Sequence, residues 1–130
     1  MIFKAFLQNA PDGQKVILQV NAVRQILSIL VDNAIKYAPQ KVGEVKIWAR
    51  LNKNSVEFIV KDNGPGISSN DQKHIFERFY RADAARTRTD ASGYGLGLAI
   101  AKTLADRCDY TIRIKSKPSA GVEFILVIPN

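Results

Sequence analysis

The sequence predicts an α+β fold, a two-layer sandwich in which a mixed, mostly antiparallel sheet is covered on one face by helices. Two long stretches carry apolar residues at the spacing of helices, one ending before Pro39 and the other beginning at Leu96. Four shorter stretches alternate apolar with polar residues and fall into two pairs, each joined by a short turn. Helices interleaved with pairs of strands are typical of a layered α+β domain and not of a doubly wound sheet.

The first predicted helix carries two distinct stripes. It follows a short β-prone run at residues 16–20, and Asn21 is its candidate N-terminal cap. One stripe is apolar and predicts burial: Val23, Ile26, Leu27, Leu30 and Ala34. The other carries side chains that line up because they are about one or two helical turns apart: Ile29, Asn33, Lys36 and Tyr37.

The alternating stretches predict two antiparallel hairpins. Their bounds are residues 45–51 and 56–61 around a turn at Lys53 and Asn54, and residues 110–116 and 122–128 around a turn at residues 118–121.

The stretch between the two hairpins predicts a short helical segment, a loop and a second long helix. The helical segment follows residues 68–71 and carries Ile75, Phe76, Phe79 and Tyr80. Residues 83–93 are polar, arginine-rich and without periodicity, which predicts a mobile loop. We expect the second long helix to present one face made of Leu96, Ala99, Ile100, Thr103 and Leu104.

Size and composition limit the possible classes of protein. With 130 residues, 46% of them hydrophobic, the chain predicts a single domain over residues 1–130. No apolar run is long enough to span a membrane, residues 1–10 lack the features of a signal peptide, and the lone Cys108 excludes an intrachain disulfide. The net charge of +7 is spread along the chain, so we expect neither a nucleic-acid partner nor membrane contact. One local basic group stands out, at Arg78, Arg81, Arg86 and Arg88.

A glycine-rich segment, SGYGLGLAIA at residues 92–101, carries the first functional signal. Gly93, Gly95 and Gly97 allow a close backbone approach where a helix begins, and a helix N-terminus offers unpaired N–H groups to a phosphate chain. A glycine-rich turn that merely connects a loop to a helix, without binding a ligand, would show the same sequence pattern. The segment matches neither the Walker motif nor the Rossmann fingerprint, so both of those nucleotide folds are disfavoured.

The second signal is DNGPG, residues 62–66, directly after a predicted strand. Its glycines and proline predict a tight turn, and Asp62 is then a hydrogen-bond acceptor at the strand end. Such a carboxylate can accept a hydrogen bond from the amino group of adenine, whereas guanine presents a carbonyl at that edge. An ordinary Asn-Gly turn is the alternative interpretation.

In combination, these segments resemble the catalytic ATP-binding domain of bacterial sensor histidine kinases, within the superfamily of gyrase, the mismatch-repair ATPases and a heat-shock chaperone. The resemblance covers the chain from about residue 16 to its end. Four of the family's motifs occur in order: RQILSILVDNAIKYAP (24–39), DNGPGI (62–67), IFERFYRAD (75–83) and GYGLGL (93–98). The closing strand GVEFILVIP (121–129) is similar as well. The implied fold is the Bergerat ATP-binding fold.

The resemblance also implies roles for individual residues. Asn33 would help to hold Mg²⁺ between the phosphates, Asp62 would accept from adenine, and Arg78 and Arg81 would stabilise phosphate charge. The implied ATP-binding residues are Asn33, Lys36, Tyr37, Asp62, Gly64, Gly66, Ile67, Gly93, Gly95, Leu96, Gly97 and Leu98.

Two departures from the family's pattern qualify this assignment. Ile29 stands where the family usually has a first asparagine, which removes one oxygen from the magnesium side. No segment resembles the helical hairpin that bears the phosphoacceptor histidine, and the single histidine, His74, is expected to be an ordinary surface or half-buried residue.

The function implied is therefore transfer of the γ-phosphoryl group of ATP, with Mg²⁺, to a histidine on a separate dimerisation domain, and indirectly to a response regulator. We expect a cytoplasmic domain of a membrane-anchored parent. Two alternatives remain open: a regulatory nucleotide-binding module without phosphotransfer, and a stand-alone serine kinase or ATPase of the same superfamily.

Overall fold

The computed structural model describes residues 2–8, 17–39, 41–80 and 96–129, the first of these ranges by its backbone alone. Its elements follow in the order β1 (Ile2–Gln8), α1 (Val20–Tyr37), β2 (Glu44–Leu51), β3 (Ser55–Asp62), α2 (Ser69–Gln72), α3 (Gly97–Arg107), β4 (Thr111–Ser116) and β5 (Val122–Pro129).

Within the described part of the chain, the strands form one sheet of five, in the order β1-β2-β3-β5-β4. β1 runs parallel to β2, and the other neighbours are antiparallel. Both predicted hairpins are confirmed: Leu51 lies opposite Val56, the Asn52 N–H donates to the Ser55 carbonyl at 2.8 Å, and β4 pairs with β5. The strand at Ile2–Gln8 was not predicted, because its apolar residues do not alternate and its partner β2 begins far along the chain.

The core lies between the helices and one face of the sheet, as the predicted fold requires. Four of the five residues in the apolar stripe of α1 are buried, and Leu27 is half-buried. They meet the inner sheet residues Val45, Val56, Val60, Phe124, Leu126 and Ile128, all of which are buried. Because successive side chains of a strand point to opposite faces, the residues between them form the outer face.

The outer face of the sheet is closed over its centre by an ion-pair network. Glu57, only 5% exposed, accepts from Nε and Nη2 of Arg50 at 2.9 and 2.6 Å and from Nη2 of Arg113 at 2.6 Å. Burial by itself would raise the pKa of Glu57, but hydrogen bonds from Arg50 and Asn52 and the charges of both arginines outweigh it and lower that pKa. Ile59 and Ile125 are also buried on this face.

The start of α1 differs from the prediction. Residues 17–19 are irregular rather than a strand, the helix begins at Val20, and Asn21 lies inside it and is not the cap. The Gln19 N–H instead donates to the Tyr110 hydroxyl at 3.0 Å. This contact across the fold, invisible in the local sequence, satisfies the N–H of the residue that precedes the helix. Residue 16 lies outside the described residues.

Two further predictions about helices were wrong in detail. The helix α2 covers only Ser69–Gln72, and residues 73–79 form turns in which Phe79 has a φ of 66°, a value that an α-helix does not contain. Ile75 is buried, and Phe76 packs edge-on against Phe124 at a centroid distance of 6.2 Å. In α3 the buried residues are alanines at 99, 101 and 105, whereas Ile100 is 46% exposed. Small side chains on this face let α3 lie close to α1. None of the helices within the described ranges is long and apolar enough to cross a membrane.

Candidate nucleotide-binding site

Asp62 is the most unusual residue of the site, a carboxylate buried to 2% exposure at the end of β3. Its Oδ1 accepts the Gly64 N–H at 2.8 Å. Burial raises the pKa of the Asp62 carboxyl from 3.8 to about 6, and backbone N–H groups of Gly64 and Val122 lower it in part. A carboxylate has about four acceptor positions, so it retains capacity for a donor from a ligand.

The turn after Asp62 contacts the last turn of α1 at Gly64. A Cβ built on Gly64 would lie 2.5 Å from the Tyr37 carbonyl oxygen and 2.9 Å from Asp62 Oδ1, so no larger residue fits without displacing backbone. This close approach brings the Asp62 carboxylate to the end of α1 that carries Lys36 and Tyr37.

The same turn is also tied to the β4–β5 hairpin. The Ile67 N–H donates to Ser116 Oγ at 2.7 Å, and that hydroxyl donates to the Gly121 carbonyl at 2.7 Å. Gln72 Nε2 donates to the carbonyls of Ile67 and Ser116 at 2.8 and 3.0 Å. Gly66 has a φ of 81°, and a Cβ there would lie 2.1 Å from the Lys117 carbonyl oxygen. Sequence reasoning missed Ser116, Gln72 and Gly121, because no local motif marks a contact between distant segments.

The second stripe of α1 faces the beginning of α3. Ile29, Asn33, Lys36 and Tyr37 are all half-buried. A Cβ on Gly97, the first residue of α3, would lie 3.4 Å from Ile29 Cγ2, so the two helices meet at this point. Leu96 precedes α3 as its cap residue, and Leu98 packs against the core. The stripe, the Asp62 turn and the α3 N-terminus therefore come together.

The remaining predicted site residues are only partly described. Arg78 is exposed, with its guanidinium 5.4 Å from the ring centroid of Phe79. Arg81, Gly93 and Gly95, the basic residues at 86 and 88, and the predicted loop at residues 83–93 lie outside the described residues. Arg81 and the two glycines therefore stay predictions.

The segment after the site is anchored by a cap that the sequence analysis did not single out. Asp71, 5% exposed, donates its N–H to Ser68 Oγ at 3.1 Å, and its carboxylate accepts from that hydroxyl and from Tyr80. The Ser-x-x-Asp spacing of a capping box was the available signal. His74 lies in the same segment, where its Nδ1 is 2.8 Å from Glu77 Oε1.

The residues present fit a magnesium ion that arrives with a phosphate chain. No group of three His, Cys, Asp or Glu side chains in the described ranges could hold a metal by itself. Mg²⁺ commonly keeps several waters and binds through substrate phosphates and one or two protein oxygens. Asn33 could supply such an oxygen, since none of the described residues forms a hydrogen bond with its side chain.

Comparison with known families identifies the class of this fold. Residues 19–130 match the family described as "Histidine kinase-, DNA gyrase B-, and HSP90-like ATPase", and the chain belongs to that family. Relatives and a solved structure that match most of the chain are named as sensor histidine kinases. The chain is accordingly a catalytic ATP-binding domain of the sensor histidine kinase type.

Two relatives illustrate the extent of the match. The chain is 42% identical over 121 residues to the sensor-like histidine kinase SenX3 of Mycobacterium tuberculosis, which is 93% of this chain and 29% of that protein. It is 46% identical over 100 residues to the sensor histidine kinase YkoH of Bacillus subtilis, 76% of this chain and 21% of that protein. The chain thus spans less than a third of the length of these relatives.

Solved structures agree with the fold. The mycobacterial sensor histidine kinase MprB superposes with a TM-score of 0.80 at 27% identity, over 98% of this chain and 83% of that one. Full-length ShkA in complex with AMPPNP gives a TM-score of 0.80 at 28% identity, over 98% of this chain and 25% of that one. The predicted fold class and family are confirmed.

Proposed function

We propose that this domain, residues 1–130, binds ATP with Mg²⁺ and presents its γ-phosphate to a histidine on a separate dimerisation domain of the parent kinase. The phosphoryl group would then pass to a response regulator. The observation that carries the proposal is Asp62, a buried carboxylate whose turn contacts the end of α1. A buried acidic group with a strongly raised pKa at the meeting point of three elements is typical of a ligand site.

Each part of the site has a definite task in this proposal. Ionised Asp62 accepts a hydrogen bond from the adenine amino group, and Gly64, Gly66 and Ile67 form the wall beside it. Asn33 would hold Mg²⁺ together with the phosphate oxygens, and the bound ion would neutralise phosphate charge during transfer.

Lys36, Tyr37 and the α3 N-terminus, with Leu96, Gly97 and Leu98, would contact ribose and phosphates. Arg78 and Arg81, with Gly93 and Gly95, complete the proposed phosphate side. Positioning and charge stabilisation are the main contributions of a protein to phosphoryl transfer.

The acceptor histidine is assigned to another domain because His74 lies in the turns that follow α2, whereas the family's phosphoacceptor lies on a helical hairpin. Ala or Gln at residue 74 should therefore leave transfer to an added dimerisation domain unchanged. Labelled phosphate recovered on His74 would contradict the assignment.

The direct test compares nucleotides by calorimetry. ATP and ADP should bind and GTP should not, because the guanine carbonyl would face the Asp62 carboxylate, acceptor against acceptor. Asp62→Asn should lose about 1 to 3 kcal/mol of ADP binding, since a charge-assisted hydrogen bond is removed. Asp109→Asn is the matched control, because Asp109 is exposed and has a φ of 58°, a conformation that Asn tolerates. Equal affinity for ATP and GTP would contradict the proposal.

One observation favours a second candidate, a regulatory module that binds nucleotide without productive transfer. Ile29 contacts the start of α3 with a methyl group where an amide oxygen could face the metal. Ile29→Asn should then increase the magnesium-dependent part of ATP affinity and leave metal-free ADP binding unchanged. Full magnesium dependence in the wild type, with no gain in the variant, would exclude this candidate.

A further inference from the structure

A basic groove lies across the ends of three strands, β3, β5 and β4, and extends to α2. Its volume is about 430 Å³, within the usual range of ligand sites. The exposed lysines Lys61, Lys115 and Lys117 line it, and Glu123 is the one acidic residue among its lining residues. We call this feature the three-lysine groove.

The three lysines of the three-lysine groove form no ion pairs within the described part of the chain. None of the three lysines forms an ion pair with a described residue, in contrast to Lys46, Arg50, Lys102 and Arg113, which pair with glutamate or aspartate. Three like charges beside one carboxylate raise the local attraction for anions, and like-charge proximity costs stability that a bound anion would relieve.

The strand register fixes how these charges are arranged. Lys61 lies opposite Glu123, and Glu123 lies opposite Lys115, so the three residues form one row across β3, β5 and β4. Neighbouring strands are about 4.8 Å apart, which puts the two lysines about 10 Å apart with the carboxylate between them. A single phosphate centred in the row would face Glu123, whereas anions spaced along a chain can contact each lysine and avoid it.

We infer that the three-lysine groove binds an acidic segment of a partner protein, whose carboxylates contact Lys61 and Lys115 on either side of Glu123. Glu123 at the centre of the row repels the closely spaced phosphates of a bilayer or a nucleic acid, whereas the carboxylates of a peptide can be spaced to either side of it. Lysines also suit separate carboxylates, whereas bidentate phosphate recognition favours arginine. Lys117 adds charge at the β4 end of the segment.

The three-lysine groove shares residues with the framework of the candidate nucleotide site. Gln72, Ser116 and Gly121 line it, and the first two hold the turn after Asp62 by hydrogen bonds. A Cβ on Gly121 would lie 2.1 Å from the Asp62 carbonyl oxygen, so the groove wall touches the residue proposed to read adenine. A partner in the groove would therefore contact the framework of the site without entering it.

The test measures binding of a fluorescent peptide of alternating glutamate and alanine, with a glutamine version as its control. The double variant Lys61→Gln/Lys115→Gln should weaken binding by about two- to thirtyfold, the effect of losing two exposed ion pairs. The double variant Lys53→Gln/Lys102→Gln removes the same charge elsewhere and should bind like the wild type. Glu123→Gln should bind the peptide more tightly, because the repelling carboxylate is gone.

Several outcomes would overturn the inference. The first is that the wild type does not bind the peptide, and the second is that both double variants lose the same amount of peptide affinity. The third is that inorganic phosphate, anionic phosphatidylserine vesicles or duplex DNA displaces the labelled peptide at a lower concentration than unlabelled peptide does. ADP affinity is measured in parallel and should be unchanged in every lysine variant. A domain that binds the peptide and not ADP would contradict the proposed function while leaving the groove assignment intact.

Discussion

Acidification should weaken nucleotide binding through one group, Asp62. Only the ionised carboxylate accepts from the adenine amino group without rearrangement, and burial raises its pKa to about 6. Near pH 8 almost every molecule is then competent, and near pH 5 about one in eleven is. Because apparent affinity scales with the competent fraction, the dissociation constant for ADP should rise about elevenfold from pH 8 to pH 5.

The assay is calorimetric titration of ADP, without metal, across this pH range. Asp62→Asn is the matched control, since it keeps the size of the side chain and removes its titration, so any pH dependence left in the variant belongs to the ADP phosphates. The ratio of wild-type to variant dissociation constants should follow a single titration with a midpoint near 6. The reasoning is refuted if wild type and variant share one pH profile, or if the midpoint lies near the ordinary aspartate value.

Three further predictions concern stability. The folded pKa of Asp62 is raised from 3.8 to about 6, so its contribution to the free energy of unfolding is present below pH 4 and is lost as pH rises through 6. In urea unfolding, Asp62→Asn should therefore be more stable than wild type near pH 8, by up to about 3 kcal/mol, and equal to it near pH 4. Gly64→Ala should lower the free energy of unfolding by about 1 to 3 kcal/mol and weaken ADP binding, because its Cβ would lie 2.5 Å from a carbonyl oxygen. Gly97→Ala, whose Cβ would lie 3.4 Å from its neighbour, should stay within about 1 kcal/mol of wild type in the same measurement. Glu57→Gln should cost about 1 to 2 kcal/mol at neutral pH, because it removes the charged partner of two arginines. Because the folded pKa of Glu57 is lowered, this difference should shrink as pH falls below about 4.5 and vanish below the folded pKa, and a difference without any pH dependence would contradict the electrostatic cause.

Local patterns predicted most of the fold. The β2–β3 hairpin followed from strict alternation around Lys53 and Asn54, and the buried stripe of α1 followed from helical spacing. Features that depend on distant partners were missed. β1 pairs with a strand more than thirty residues away, and α1 starts where Tyr110 contacts Gln19. The buried residues of α3 are alanines, because small side chains there let α3 lie close to α1, and periodicity of large apolar residues does not predict such a face.

The candidate site divides in the same way. Asp62, Asn33 and Gly97 were selected because they stand in segments that resemble the family's motifs, and their roles stay predictions. The residues that hold the site in shape could not be selected in this way. Ser116 and Gly121 are ordinary in sequence, and their importance comes only from hydrogen bonds and backbone contacts to a turn about fifty residues earlier.

The position of β5 has a consequence for how the protein matures. β5 is the last strand in the chain, yet it lies between β3 and β4, and Ser116 and Gly121 brace the Asp62 turn from the same hairpin. A growing chain that has emerged only as far as α3 contains Asn33, Asp62 and Gly97 but has no neighbour for β3 on that side. Nucleotide binding should therefore appear only after β5 has paired with β3, although β5 carries none of the residues proposed to contact the nucleotide.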